Sequence, residues 1–239
     1  MIEAAIGAGI SASGLLAGYI VADRFRPNER LVGLVMGLGA GILIAVVAYA
    51  LVLATTEAAE RPSIVGAGMA AGALVFFYSS SRIDQRSASG AASVGDGGGL
   101  SQAMGAALHG VPESMVIGIS AALTGEVGIP LVIAAFIANI AESLAATPRL
   151  AANGMSRRSV LGIWTAILAA SIITAGFGYG VMSHLATNAG AIFNGFAAGA
   201  VLMVLSTSLI PEGYEKAQRV AGLMVVVGFA IGFGLEHLK

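Results

Sequence analysis

The sequence predicts an all-α, polytopic membrane protein: eight transmembrane helices in a 3+2+3 arrangement with inverted repeats. Three observations carry that expectation. The 239 residues are 57% hydrophobic and only 10% charged, with a mean hydropathy of +0.89, against roughly 25% charged residues in ordinary soluble domains. Apolar stretches approaching the ~20 residues needed to cross a bilayer recur eight times between clusters of charge, Pro and Gly. The basic residues also sort by side once those stretches are threaded in alternation.

The first span, 2–22, lacks a basic n-region and a single small-residue cleavage site, so it reads as a retained helix. The second covers 31–54. The third, 63–80, starts after Pro62 and reaches Ser79-Ser80-Ser81; it is the shortest and is expected to extend a turn at one end. Residues 84–99 are small and polar and read as a flexible cytoplasmic loop. The fourth and fifth spans, 100–123 and 127–147, follow, the latter closed by Pro148 and Arg149. The sixth, seventh and eighth are placed at 159–183, 189–210 and 219–238. No other connection is long enough to separate domains, so 1–239 is read as a single transmembrane domain.

Of the 12 Lys and Arg residues, ten fall in odd-numbered loops: Arg24, Arg26, Arg30, Arg82, Arg86, Arg149, Arg157, Arg158, Lys216 and Arg219. Only Arg61 and Lys239 fall on the other side. By the positive-inside rule the odd loops are cytoplasmic and both termini lie outside, in the plasma or inner membrane. One helix too many or too few would have scrambled the charges.

The second and seventh helices echo one another. Gly37-Leu38-Gly39-Ala40-Gly41 parallels Gly195-Phe196-Ala197-Ala198-Gly199, and each leads to an acidic helix end, at Glu57 and at Glu212 after Pro211. In the deduced topology the two helices run in opposite directions, as inverted-topology repeats require. The 34 glycines and sparse aromatics point to close backbone approach between helices.

Two segments carry the candidate chemistry: Leu108-His109-Gly110-Val111-Pro112-Glu113-Ser114 on the fourth helix and Ala138-Asn139-Ile140-Ala141-Glu142-Ser143 on the fifth. His109 and Glu113 are four apart and Asn139 and Glu142 three apart, so each pair shares a helix face. An ionised carboxylate inside a bilayer costs roughly 2.5 to 3.5 kcal/mol on the lenient insertion scale, while polar glue between membrane helices is usually uncharged. Two carboxylates facing each other across antiparallel helices repel unless a cation or a shared proton lies between them. Imidazole with carboxylate suits zinc and other first-row divalent ions better than Mg2+ or Ca2+. The candidate metal ligands are His109, Glu113, Asn139 and Glu142. For Asn139, helix–helix hydrogen bonding stands beside ligation; for Glu142, close to Arg149, a cytoplasmic gate stands beside ligation. Pro112 should kink the fourth helix beside the site.

Other polar groups are weaker candidates. Ser206-Thr207-Ser208 and Tyr49 are placed where they could line a pathway, Glu57, Glu60, Glu212 and Glu215 read as solvated helix-end residues, and His184 and His237 as isolated exposed side chains. The absence of cysteine removes disulfides and thiolate ligands. A net charge of -1 offers nothing to nucleic acid, and no His-Glu-x-x-His segment supports an intramembrane metalloprotease. The chain is therefore not read as an enzyme. Its expected partners are a divalent cation and the lipid bilayer, and a homodimer is compatible with this reading.

These residues and the topology make the chain resemble the Zrt/Irt-like protein (ZIP) family of divalent metal transporters, as a divergent member. His109-x-x-Pro112-Glu113-Ser114 stands where that family has His-Asn-x-Pro-Glu-Gly, and Asn139-Ile140-Ala141-Glu142-Ser143 where it has its second such segment. The run from Gly195 to Glu212 also looks like the family's helix seven. The resemblance implies zinc or a related divalent ion as the transported ligand, with no prosthetic group. It further implies movement toward the cytoplasm by a bundle containing helices four and five that slides or rocks against the rest. Gly110, Ala138 and Ala141 depart from the family pattern. They reduce its binuclear centre to one expected metal site. The alternative reading is a ZIP-like membrane protein that binds or senses metal, or carries a different solute.

Overall fold

The computed structural model of the protein describes residues 1–59, 61–88, 110, 112–123, 125–185 and 187–237. Every regular element among them is helical. We label them α1 (Ile2–Phe25), α2 (Glu29–Val46, continued by a π-helical stretch Val47–Leu53 and by Ala54–Ala58), α3 (Ser63–Ala88) and α4 (Pro112–Leu123). There follow α5 (Ile129–Ala152), α6 (Arg157–Met182), α7 (Thr187–Val204, continued by a π-helical stretch Leu205–Leu209 and by Ile210–Ala217) and α8 (Arg219–His237). Seven helices are long and apolar enough to cross a membrane, while α4 is apolar but short over its described residues. His109, the expected kink ahead of Pro112 and residues 89–99 of the expected loop lie outside the described residues.

Several helix ends differ from the sequence expectation. α3 runs on to Ala88, so 84–88 are helical instead of loop. Nothing in residues 79–86 breaks a helix: Ser80 and Ser81 turn their hydroxyls back onto Phe77 O, at 3.1 and 2.7 Å, and thereby remain inside it. Pro148 does not end α5, which continues to Ala152 with the proline ring on its exposed face. Arg149 Nε reaches back to Ala145 O at 3.2 Å and adds a donor on the turn where proline removes one. α7 likewise passes Pro211, which occupies the first turn after the π-helical stretch, a position where no backbone donor is needed. The remaining termini have recognisable stops. Arg26 takes a left-handed conformation (φ 47°) ahead of Pro27, Asn28 Oδ1 caps α2 by accepting from Leu31 N at 2.8 Å, and Ser156 Oγ caps α6 through Ser159 N.

Glycine decides how the helices pair. A Cβ at Gly37 or Gly41 of α2 would run into the backbone of Ala221 or Val225 on α8, and one at Gly228 or Gly232 would run into Leu38 or Ile42 on α2. The same double pattern joins α7 to α3: Gly195 and Gly199 lie on Val65 and Met69, and Gly68 and Gly72 on Ile192 and Phe196. Both pairs run parallel, and in both the helices approach to backbone contact because no side chain intervenes. α2 and α7 are antiparallel, since Glu29 meets Lys216 at one end and Thr55 meets Asn194 at the other.

A second group forms around α1. Gly14 and Gly18 of α1 lie on the backbone of Phe136 and Ile140 of α5, and Gly118 of α4 meets Ala175 of α6. Trp164 of α6 is fully buried among Leu15, Val160 and Leu150, and its indole donates to Thr147 Oγ1 at 3.1 Å. The helices thus fall into α2, α3, α7 and α8 on one side and α1, α4, α5 and α6 on the other. They meet where Gly39 of α2 rests on the backbone of Ala138 of α5. α2, α5 and α7 are central: 67% of the apolar stretch of α2 is buried, against 17% for α8 at the periphery.

Candidate functional site

Where the two groups meet, Glu113, Ala138 and Glu142 face Leu43, Val201, Val204, Leu205 and Leu209 across a small cavity. It has about 20 Å³ of room for the centre of a water molecule, enough for one water or one bare ion. α4 and α5 supply both carboxylates; α2 and α7 supply only aliphatic side chains. Glu113, the second residue of the described part of α4, is buried, and its Oε1 has no hydrogen-bond partner among the described residues. A carboxylate oxygen buried without a donor is costly, and a cation, a proton or a water would satisfy it.

The wall opposite is shaped by an irregular helix. In α7 the hydrogen-bond ladder widens to π-helical from Leu205 to Leu209, and both of those leucines line the cavity. In α2 the ladder widens from Val47 to Leu53. Each π-helical stretch starts six residues beyond the last glycine of its motif, Gly41 or Gly199. Single π-helical turns mark functional positions in many helices, because they free carbonyls and redirect side chains. Here Leu51 O, which also accepts from Ala54 N, faces Asn194 Nδ2 of α7 at 3.4 Å, and the same amide donates to Thr55 Oγ1.

The four expected ligands are not all brought together. Glu113 and Glu142 share the cavity. Asn139 does not line it: its Nδ2 donates to Ser11 O and Ser11 Oγ of α1, both at 3.2 Å, while its Oδ1, the atom that would ligate a metal, is buried with no hydrogen-bond partner among the described residues. The side chain at 139 leaves α5 on the α1 side, while 138 and 142 face α7. His109 is outside the described residues. Among the described residues no group of three or more His, Cys, Asp or Glu side chains is placed to hold a metal ion.

The weaker candidates also find places. Tyr49 stacks edge-on against Phe233 (5.2 Å between centroids) and His237 (5.8 Å), so it packs α2 on α8. His237 is accordingly not isolated, and its Nδ1 lies 2.8 Å from Phe233 O. Ser206 and Thr207 are exposed, and the Thr207 hydroxyl donates to Met203 O of its own helix. Glu212 is not simply solvated, for Arg149 lies 2.8 Å from it.

Sequence reasoning missed Asn194, Ser11 and the aliphatic wall. Asn194 was legible as an uncharged amide inside an apolar Gly-rich run, the usual form of polar glue. The wall has only the spacing of Val201, Leu205 and Leu209, which any buried helix face would show. Comparison with known proteins adds no relative, as neither a protein-family model nor a curated protein sequence matches this chain.

Proposed function

We propose that this protein carries a divalent cation, zinc or a related first-row ion, across the membrane, with Glu113 and Glu142 as the anionic ligands. One observation carries the reading: the two carboxylates expected from the sequence to converge line one ion-sized cavity in the middle of the helix bundle. The buried carboxylate of Glu113 and the half-buried one of Glu142 together offset the dehydration of a divalent ion and repel one another without it.

The division into two groups supports a mechanism. Both carboxylates belong to α4 and α5, and the wall they face is aliphatic. A bound ion is then held by one group alone, and the smooth contact of Gly39 on Ala138 allows that group to slide or rock past the other. The eight-helix 3+2+3 plan with inverted repeats belongs to the same proposal. It is supported by the antiparallel α2 and α7, their matching glycine pairs and their matching π-helical stretches. With the basic residues inside, both termini lie outside, and transport toward the cytoplasm is what the ZIP resemblance implies.

The second reading, a ZIP-like protein that binds or senses a metal or carries another solute, draws on Asn139. Its Nδ2 is held by Ser11 and its Oδ1, buried without a partner, is not part of the cavity lining, so the ligands lining the cavity among the described residues are the two carboxylates, fewer than the four that zinc sites ordinarily use. Zinc uptake into sealed proteoliposomes, measured beside equilibrium zinc binding in detergent, separates the readings. Uptake that saturates with zinc and is lost in Glu113→Gln supports transport. Binding without uptake supports the second reading.

A further inference from the structure

Below the cavity, toward the end of the bundle where Glu29 and Lys216 meet, an ion pair crosses between the two helix groups. Arg149 Nη2 of α5 lies 2.8 Å from Glu212 Oε1 of α7. Arg149 is seven residues beyond Glu142, on the same face of α5, and Glu212 is three beyond Leu209. Each therefore continues a row of residues that lines the cavity. Two further ion pairs at this end stay within a group: Arg157 with Asp23 (3.1 Å, α6 to α1) and Lys216 with Glu29 (α7 to α2).

Glu212 has a second cation within reach. Lys216, one turn further along α7, holds its Nζ 3.8 Å from the same Oε1. The carboxylate can leave Arg149 and remain paired inside its own group. The cost to Arg149 is small, because its side chain is already 50% exposed, whereas Glu212 is 22% exposed and needs a partner. A charge that exchanges one neighbour for another across a seam is how packed interfaces hold two discrete arrangements.

We propose that Glu212 is a partner-exchange latch. It pairs with Arg149 to hold α5 against α7 in the arrangement described here, and with Lys216 when the groups move apart at this end. The latch rests on the reading that the two groups move relative to one another, and it assigns Arg149, Glu212 and Lys216 the task of setting the balance between positions. Because Arg149 is half exposed and Glu212 keeps Lys216 as a second partner, exchanging the pair costs little, so it closes this end without locking it, as a device broken in every cycle requires.

The chain contains no cysteine, so spin labels can be placed cleanly on Asn153→Cys and Tyr214→Cys, exposed positions at the ends of α5 and α7. Distance distributions should be recorded in lipid nanodiscs without added metal. Arg149→Gln is expected to move population toward the longer distance, roughly three- to fivefold. Lys216→Gln is expected to move it toward the shorter one. In a Glu212→Gln background, neither substitution should shift the distribution further. Unchanged distributions in both single variants, shifts of the same sign, or shifts that persist without Glu212 would overturn the latch. This readout needs no transport, so failure of the latch is distinct from failure of the transport reading, which is decided by Glu113→Gln uptake.

Discussion

α2, α3, α7 and α8 present Leu43, Val201, Val204, Leu205 and Leu209 to the central cavity; α1, α4, α5 and α6 present Glu113, Ala138 and Glu142. The two groups are assembled by the same means, glycine faces that bring helix backbones together. Yet at the cavity the lining from one is aliphatic and both carboxylates come from the other. In a membrane interior, where helices gain little from hydrophobic association, close packing must supply the cohesion of each group. That leaves the surface between the groups free to be smooth. The contrast teaches where function can reside: rigidity comes from the glycine pairs, and chemistry from the two carboxylates held on one side of the seam.

The sharpest way to break this picture is to fill a glycine contact. Gly41→Leu and Gly199→Leu should each destabilise the α2, α3, α7, α8 group by about 3 kcal/mol or fail to insert, since the side chain would have to displace the backbone of Val225 or Met69. Gly162→Leu and Gly176→Leu in α6 meet nothing within 4 Å and should leave stability almost unchanged. Thermal unfolding of the purified variants in detergent checks both. Equal losses at all four positions would mean that helix flexibility, and not close approach, governs.

A smaller loss is expected at the other end of the α2–α7 contact. Asn194→Ala removes the donor to Thr55 Oγ1 and Leu51 O in a site where Asn194 is 1% exposed, costing roughly 1–2 kcal/mol. A double-mutant cycle with Thr55→Ala should recover some of that as coupling; additive losses would show that the two side chains act separately.

Much of the architecture was legible in the sequence because the bilayer imposes it. An all-helical chain with seven helices long and apolar enough to cross a membrane follows from the cost of exposing backbone and charge to hydrocarbon. Helix ends were less legible. Pro148 and Pro211 look like terminators, but one ring sits on an exposed face and the other in a first turn, and both helices continue. In the candidate site, Glu113 and Glu142 were visible as carboxylates too costly to be incidental. For Asn139 the sequence left helix–helix bonding and ligation side by side, and both remain: its Nδ2 is held by Ser11 while its Oδ1 is buried without a hydrogen-bond partner among the described residues. The π-helical stretches leave no signal in composition or period. They become apparent only when the two helices are compared in space.

Asn139 sharpens the comparison further. As a link from α5 to Ser11, Asn139→Ala should cost about 0.6 to 1.7 kcal/mol in stability while leaving cation uptake within about twofold of the wild type, and Ser11→Ala should act in the same direction. Thermal unfolding with parallel uptake assays decides it: loss of uptake at unchanged stability would return Asn139 to the ligand set.

The most direct measurement of the central claim is zinc uptake into proteoliposomes by Glu113→Gln and Glu142→Gln, each inserted to the same level as the wild type. Glutamine keeps the size of the side chain and removes the charge that offsets dehydration of the ion. Loss of uptake by 100-fold or more in Glu113→Gln and by at least tenfold in Glu142→Gln, about 2.7 and 1.4 kcal/mol, with folding preserved, is the expected result. Uptake at the wild-type rate in both variants would contradict the account, because the carboxylates lining the cavity would then have no role in carrying the ion.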